Sequence, residues 1–178
     1  MHKTAEQLDA GVDHLRQSPG DNGTLALIVR RPDIDEREVL EAGELDVTVG
    51  LVGDNWSVKT TKYGPPDPLA QLNVMNIRCA ELVAGSPERV PLAGDQLYVD
   101  LDLSEANLPA GTRLAIGDAV IEITAKPHNG CDKFAARFGA EALRFVNIGV
   151  GKELNLRGRN AKVVHPGTIR RGDTISRV

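Results

Sequence analysis

The chain has 178 residues, 41% hydrophobic and 26% charged, with a formal net charge of −4 and an isoelectric point near 5.6. This composition buries a core and excludes a disordered tail; the acidic balance argues against a general nucleic-acid binder, and 3% aromatics leave little for stacking bases. No run of about 18 apolar residues and no N-terminal apolar segment occurs, and two cysteines, Cys79 and Cys131, do not make a secreted disulfide scaffold. The expectation is a cytoplasmic, reducing setting with both thiols free, and neither nucleic acid nor membrane as a partner.

Residues 4–17 read as a helix with Leu8, Val12 and Leu15 on one face, ended by Pro19-Gly20. Leu25 to Val29 is a compact apolar strand, and the acidic stretch Pro32 to Leu45 reads as a helix. Thr60 to Pro68, with three prolines, reads as a loop. Met75, Cys79, Leu82 and Val83 make a helix stripe stopped by Gly85 and Pro87. Gln96 to Leu103 alternates polar and apolar, the pattern of a half-buried strand, with Asp100 and Asp102 as an outward-facing row. Arg113 to Thr124 reads as a hairpin turning at Gly117-Asp118, a pair that suits a type II′ turn. Cys131 to Arg144 reads as a helix anchored by Phe134, Phe138 and Leu143 and broken at Gly139. From Ala161 the chain is β again, turning at Pro166-Gly167 and Gly172-Asp173. A Pro-Gly turn shortly before a Gly-Asp turn occurs twice, at 109–118 and 166–173, which supports short strands in a barrel or sandwich rather than a repeat array.

The segment Lys126-Pro127-His128-Asn129-Gly130-Cys131-Asp132-Lys133-Phe134 follows a predicted strand and opens a predicted helix. A helix N-terminus and two flanking lysines, Lys126 and Lys133, favour thiolate at Cys131. Such a thiolate can attack, carry sulfur or bind a soft metal; the plainer reading is a small apolar turn residue. His128 and Cys131 form H-x-x-C, half of a zinc site, but His2, His14, His165 and Cys79 are scattered and supply no second close pair. His128 is either a group that orients or protonates something near the thiol or an exposed turn histidine. Arg144, Lys152, Arg157, Arg159 and Lys162 make the second half locally basic, through contacts to a phosphate-bearing cofactor or simply as a solvated surface. Asn147 and Asn155 carry no specific signal alone. Cys79, on the apolar stripe, reads as a buried structural thiol. P-loop, Rossmann, zincin, kinase and α/β-hydrolase motifs are absent from the sequence.

The order of motifs resembles the MOSC domain, named for the C-terminal domain of molybdenum cofactor sulfurases. The matching pieces are Leu92-Ala93-Gly94-Asp95-Gln96-Leu97, then Leu108-Pro109-Ala110-Gly111-Thr112-Arg113-Leu114-Ala115-Ile116-Gly117, then a strand leading into Gly130-Cys131. After a helical gap come Leu156-Arg157-Gly158-Arg159-Asn160-Ala161 and Pro166-Gly167-Thr168-Ile169-Arg170-Arg171-Gly172-Asp173-Thr174-Ile175. The match is best over residues 85–178, with residues 1–70 as an N-terminal helical and strand extension of one domain spanning 1–178.

The resemblance implies a mainly β fold, a barrel with several flanking α-helices, in which Cys131 stands at the family's cysteine. In some members that cysteine binds the molybdenum of the pterin cofactor, molybdopterin, and the protein reduces small N-hydroxylated compounds with electrons from a partner protein. Carriage of sulfur on the same thiol, between donor and acceptor proteins in metal–sulfur cluster or cofactor assembly, has also been proposed for the domain. On this footing Cys131 is the metal ligand and, with His128, a catalytic candidate. Arg144, Arg157, Lys133 and Asn147 are cofactor-binding candidates, Arg144 and Arg157 toward the phosphate. The chain departs from other family architectures in having no desulfurase module with a PLP lysine and no ferredoxin-type cysteine cluster, so no PLP is expected here and electrons come from elsewhere. The segment Pro127-His128-Asn129-Gly130-Cys131 also differs from the proline- and arginine-rich version of hydroxylamine-reducing members. A small-ligand-binding barrel with an incidental thiol is a third reading.

Overall fold

The computed structural model describes residues 2–60 and 64–178. Helices α1 (Ala5–Asp9) and α2 (Val12–Arg16) lead into β1 (Gly23–Arg30), β2 (Glu38–Leu40), β3 (Ala42–Asp46) and β4 (Gly50–Leu51). Two 3-10 turns (Asn55–Val58 and Pro68–Ala70) precede β5 (Leu72–Asn76), α3 (Ile77–Ala84), a 3-10 stretch (Pro87–Ala93) and β6 (Leu97–Asp100). The hairpin β7 (Arg113–Ile116) and β8 (Ala119–Ile123) is followed by α4 (Asp132–Phe138), α5 (Ala140–Asn147) and α6 (Val150–Glu153). Strands β9 (Arg159–His165), β10 (Gly167–Arg170) and β11 (Thr174–Arg177) complete the chain.

Backbone hydrogen bonds run from β1 to β11, β7, β8, β9, β5 and β6 and back to β1, which closes a seven-stranded barrel. Among the described residues closure leaves the barrel itself without a long exposed strand edge. The pair β5–β6 is parallel, because α3 and the 3-10 stretch carry the chain back to the same end. A small antiparallel sheet, β10-β3-β4, lies beside the barrel, and β2 pairs along β1.

The strands sort their side chains by the two-residue period. Leu72, Val74, Leu97 and Val99 point into the barrel core with Leu25, Ile116, Ile121 and Ile175. Their neighbours Met75 and Tyr98 point outward into a second core, shared with Leu8, Cys79, Val83, Phe134, Phe138 and Phe145 of the helical layer. Strand β6 is thus buried on both faces, which corrects the half-buried expectation for Gln96 to Leu103; Gln96 itself is buried, its Nε2 donating to Asp54 and to the Gln71 carbonyl. Asp100, read as an outward polar row with Asp102, is half-buried and holds Arg78 through two bonds of 2.8 and 3.0 Å.

Three other expectations change. Pro32 to Leu45 is not a helix: Asp35 sits at φ +60°, and the rest pairs as β2 on β1 and β3 on β10. Sheet pairing, with neighbouring β1 and with distant β10, overrides the local acidic pattern. The single helix over 4–17 is two short helices parted at Ala10-Gly11, where Gly11 lies close against Leu82. Met75 belongs to β5, and Asn76 caps α3 by accepting from the Cys79 N–H. The hairpin at Gly117-Asp118 forms as expected, with Gly117 at φ +55°. Part of the expected 60–68 loop, residues 61–63, lies outside the described residues.

Candidate functional site

Between β8 and α4 the chain runs through a loop held at its start, middle and end by side chains from elsewhere in the fold. Asn160 on β9 donates from Nδ2 to the carbonyls of Lys126 and Pro127, both at 3.1 Å. His128 Nε2 lies 3.0 Å from Asp95 Oδ1. The Gly130 N–H donates to Asn147 Oδ1 at 2.9 Å, and Asn147 Nδ2 returns a bond to the Gly130 carbonyl at 3.2 Å. Cys131 follows as the N-cap of α4; its carbonyl accepts from Phe134 and Ala135, while its exposed thiol takes no part in capping.

The thiol opens on a basin of about 230 Å³ lined by Arg31, Arg37, Lys59, Lys133, Arg137 and Arg157, with Asp33 and Asp35 also on its wall. Arg31 is committed to buried Asp54 at 2.7 and 2.9 Å. Arg137 reaches the Leu92 carbonyl at 2.8 Å and exposed Asp35 at 2.9 Å. Arg37 makes no ion pair among the described residues: Nη1 meets only the Glu36 carbonyl, and buried Nε, like that of Arg157, has no partner there. Burial, followed by the neighbouring charges of Arg137 and Arg31, pulls the Arg37 guanidinium below its ordinary range. Arg37 Nη2 and Arg137 Nη1 converge on Gly94, at φ +91°, where a β-carbon would stand 3.5 Å from each. A side chain there would fill the cradle that the two guanidinium groups make.

A second basin, about 570 Å³, continues from the first across Arg31, Asn55, Lys59 and Asn73, and is lined further by Trp56, Pro65, Pro66, His128 and Asn129. On the other side of the loop a third, about 500 Å³, is lined by His128, Asn147, Lys152, Asn155 and Arg157.

Beneath the loop lies a buried charged cluster. Asp95 is fully buried and accepts from Arg157 Nη1 at 2.7 and 3.0 Å; Arg157 Nη2 donates to the Ala93 carbonyl at 3.1 Å, and the guanidinium lies 5.0 Å over the Phe134 ring. Burial alone would raise the Asp95 carboxyl, but Arg157 and His128 hold it below its ordinary range. His128 is pulled down from its ordinary 6.5, first by burial and then by Arg157, against the upward pull of Asp95. His128 is therefore neutral near pH 7, with the proton on Nε2 toward Asp95 and Nδ1 left as the ring's acceptor.

The sequence-predicted site residues thus separate into groups. Cys131, Lys133 and Arg157 share the first basin. His128 lines the second and third basins, not the one that Cys131 lines. Asn147 holds the Gly130 backbone. Arg144 lines a different cavity with Ala5, Asp9 and Glu141. Arg159 is tied to the Leu103 and Leu108 carbonyls and to Glu105, and Lys162 to Glu122. Arg31, Arg37, Lys59, Arg137 and Asp95 were not singled out from sequence. Asp95 stood inside a motif already quoted, Leu92 to Leu97, where a buried carboxylate among apolar residues was the available signal. Among the described residues no three of His, Cys, Asp and Glu group as a metal cage. Cys79 is buried, and burial pushes its thiol up to about 12.

The sequence profile of the MOSC domain matches residues 80–176. The chain belongs to the MOSC domain family. Its fold is similar to that of YuaD from Bacillus subtilis, at a TM-score of 0.64 and 16% identity over 86% of this chain and 94% of that one. It is similar also to YiiM from Escherichia coli, at 0.55 and 20% over 87% and 69% of the two chains. For YiiM from Geobacillus stearothermophilus the values are 0.54 and 14%, over 89% and 73%. No curated protein gives a significant match. In this barrel Cys131 meets the motif around Asp95 at the first basin, whose wall also includes Ala93 and Gly94. No helix among the described residues is long and apolar enough to cross a membrane.

Proposed function

We propose that this MOSC protein binds the molybdenum-bearing pterin cofactor and serves as an oxidoreductase for small N-hydroxylated or related compounds, with electrons from a partner protein. The observation that carries the reading is the cation surplus of the basin that Cys131 opens on. Arg37 and Arg137 form a cradle over Gly94 with an orphaned buried Nε, which suits the phosphate of such a cofactor, and Lys133 stands on the same wall. An exposed cysteine is a soft donor for molybdenum. Arg157 forms part of the wall but spends its charge on Asp95. Because Arg144 lines another cavity, the phosphate contact passes in this reading to Arg37 and Arg137.

When bound, the cofactor would supply the electrons that reduce an N–OH bond, with R–NHOH, two electrons and two protons giving R–NH₂ and water. The chain's own part is to hold the thiol still, neutralise the phosphate, and offer Nδ1 of neutral His128 as an acceptor for a substrate N–H or O–H in the second basin. The test is molybdenum and pterin content after expression in a molybdopterin-competent host. Wild type is expected to carry both and Cys131→Ser to lose the metal while staying folded; wild-type preparations repeatedly lacking both overturn the reading.

The exposure of Cys131, and its freedom from capping, also favour a second reading as a sulfur carrier. The Cys131 thiolate would attack the outer sulfur of a donor persulfide; a new S–S bond forms on Cys131 and the donor leaves as thiolate. Intact-mass spectrometry after incubation with a cysteine desulfurase and cysteine would then show one added sulfur, lost in Cys131→Ser. No adduct on wild type removes this reading.

A further inference from the structure

We infer that Asn147 is a positioning residue for the Cys131 thiol. Its carboxamide both accepts from the Gly130 N–H at 2.9 Å and donates to the Gly130 carbonyl at 3.2 Å. A carboxamide is the side chain that can answer a peptide's donor and acceptor together without carrying charge. The fold brings it there by a helical hairpin: α4 starts just after Cys131, the chain turns at Gly139 with φ +94°, and α5 ends at Asn147 back beside the start of α4. A β-carbon at Gly130 would stand 2.7 Å from Leu143 Cδ1 on the same helix, a side chain that would have to shift, and 3.4 Å from the Asn147 carboxamide. The far end of the loop is fixed independently by Asn160, and its middle by His128 on Asp95. Asn147 therefore fixes the loop at the residue preceding the thiol, and it does so from outside the first basin, whose wall it does not share. The thiol is held on the cation-lined rim by this contact, whatever it finally binds.

Paired alkylation reads this directly in the metal-free protein, so its outcome is separate from that of cofactor content. Iodoacetamide is neutral and iodoacetate anionic, and a thiol held among cations favours the second relative to the first. In the folded protein Cys79 is silent, being buried with its thiol raised to about 12, and in the unfolded reference the adduct is read on the Cys131 peptide alone. Folded wild type is expected to show an iodoacetate-to-iodoacetamide rate ratio roughly 3- to 10-fold above that of the urea-unfolded chain, falling as salt is added. Asn147→Leu, close in size, is expected to melt near wild type yet drop to the unfolded-chain ratio. A folded Asn147→Leu that keeps the wild-type ratio overturns the inference, as does a wild-type ratio no higher than that of the unfolded chain. Should Asn147→Leu not fold, Asn147→Ser, smaller and unable to make the reciprocal pair, is read in the same way.

Discussion

The two walls of the Cys131 basin are built on opposite plans. Behind the wall that carries Cys131 most polar groups are satisfied, the buried Nε of Arg157 excepted: Asn160 holds the loop carbonyls, Asn147 holds Gly130, and Asp95 answers both His128 and Arg157. The wall from residues 31–59 has Asp33, Ile34 and Asp35 exposed, Asp35 at positive φ, and Arg37 with a buried Nε unanswered among the described residues. A satisfied wall fixes geometry. A wall on which the Arg37 guanidinium makes no ion pair among the described residues leaves free energy to be gained when an anion arrives. The site thus combines a placed nucleophile or ligand with an electrostatic vacancy, and the two properties come from different stretches of chain.

The largest break falls on the satisfied wall. Asp95→Ala strands a buried guanidinium and removes the acceptor of His128, so a loss of about 3–5 kcal/mol is expected in urea unfolding. On the other wall, Arg37→Met is expected to weaken binding of inorganic phosphate, measured by titration calorimetry, by about 10-fold while leaving stability within about 1 kcal/mol. A folded Arg37→Met with unchanged phosphate affinity would remove the contrast between the walls.

Acid separates the members of the buried cluster. His128 has a folded pKa below its ordinary 6.5, so the unfolded chain binds the proton more readily. Its contribution is full above about pH 6.5 and is lost as pH falls from there toward the lower folded value. Asp95, also lowered, contributes above its ordinary 3.8 and loses that contribution only as pH falls through the folded value beneath it. Denaturant midpoints should therefore decline in two stages on acidification, and His128→Gln should flatten the first. The smallest effect belongs to the thiol: Cys131→Ser is exposed and outside the capping bonds, so a stability change within about 0.5 kcal/mol is expected.

The same division governs what could be read from the sequence. The second half of the chain carries its structure locally: Gly117-Asp118 makes its hairpin, Gly139 breaks its helix, and Gly172-Asp173 turns between β10 and β11. Cys131 was visible there because strand, loop and helix follow one another in sequence. The cationic wall was not, because residues 32–45 resemble an acidic helix, yet β2 folds back on its sequence neighbour β1 and β3 is recruited by β10, remote in sequence. Arg37 and Arg137 lie a hundred residues apart and meet only over Gly94. Arg144 looked equivalent to Arg157 by composition, but helix phase on α5 turns it toward α1 and Asp9.

The central claim, that the Cys131 thiol and the cationic basin together hold a molybdenum cofactor, is tested most directly by X-ray absorption at the molybdenum edge on protein isolated from a cofactor-competent host. The account predicts a sulfur shell in wild type that loses one ligand in Cys131→Ser. A loaded protein whose sulfur shell is unchanged by that substitution would contradict it.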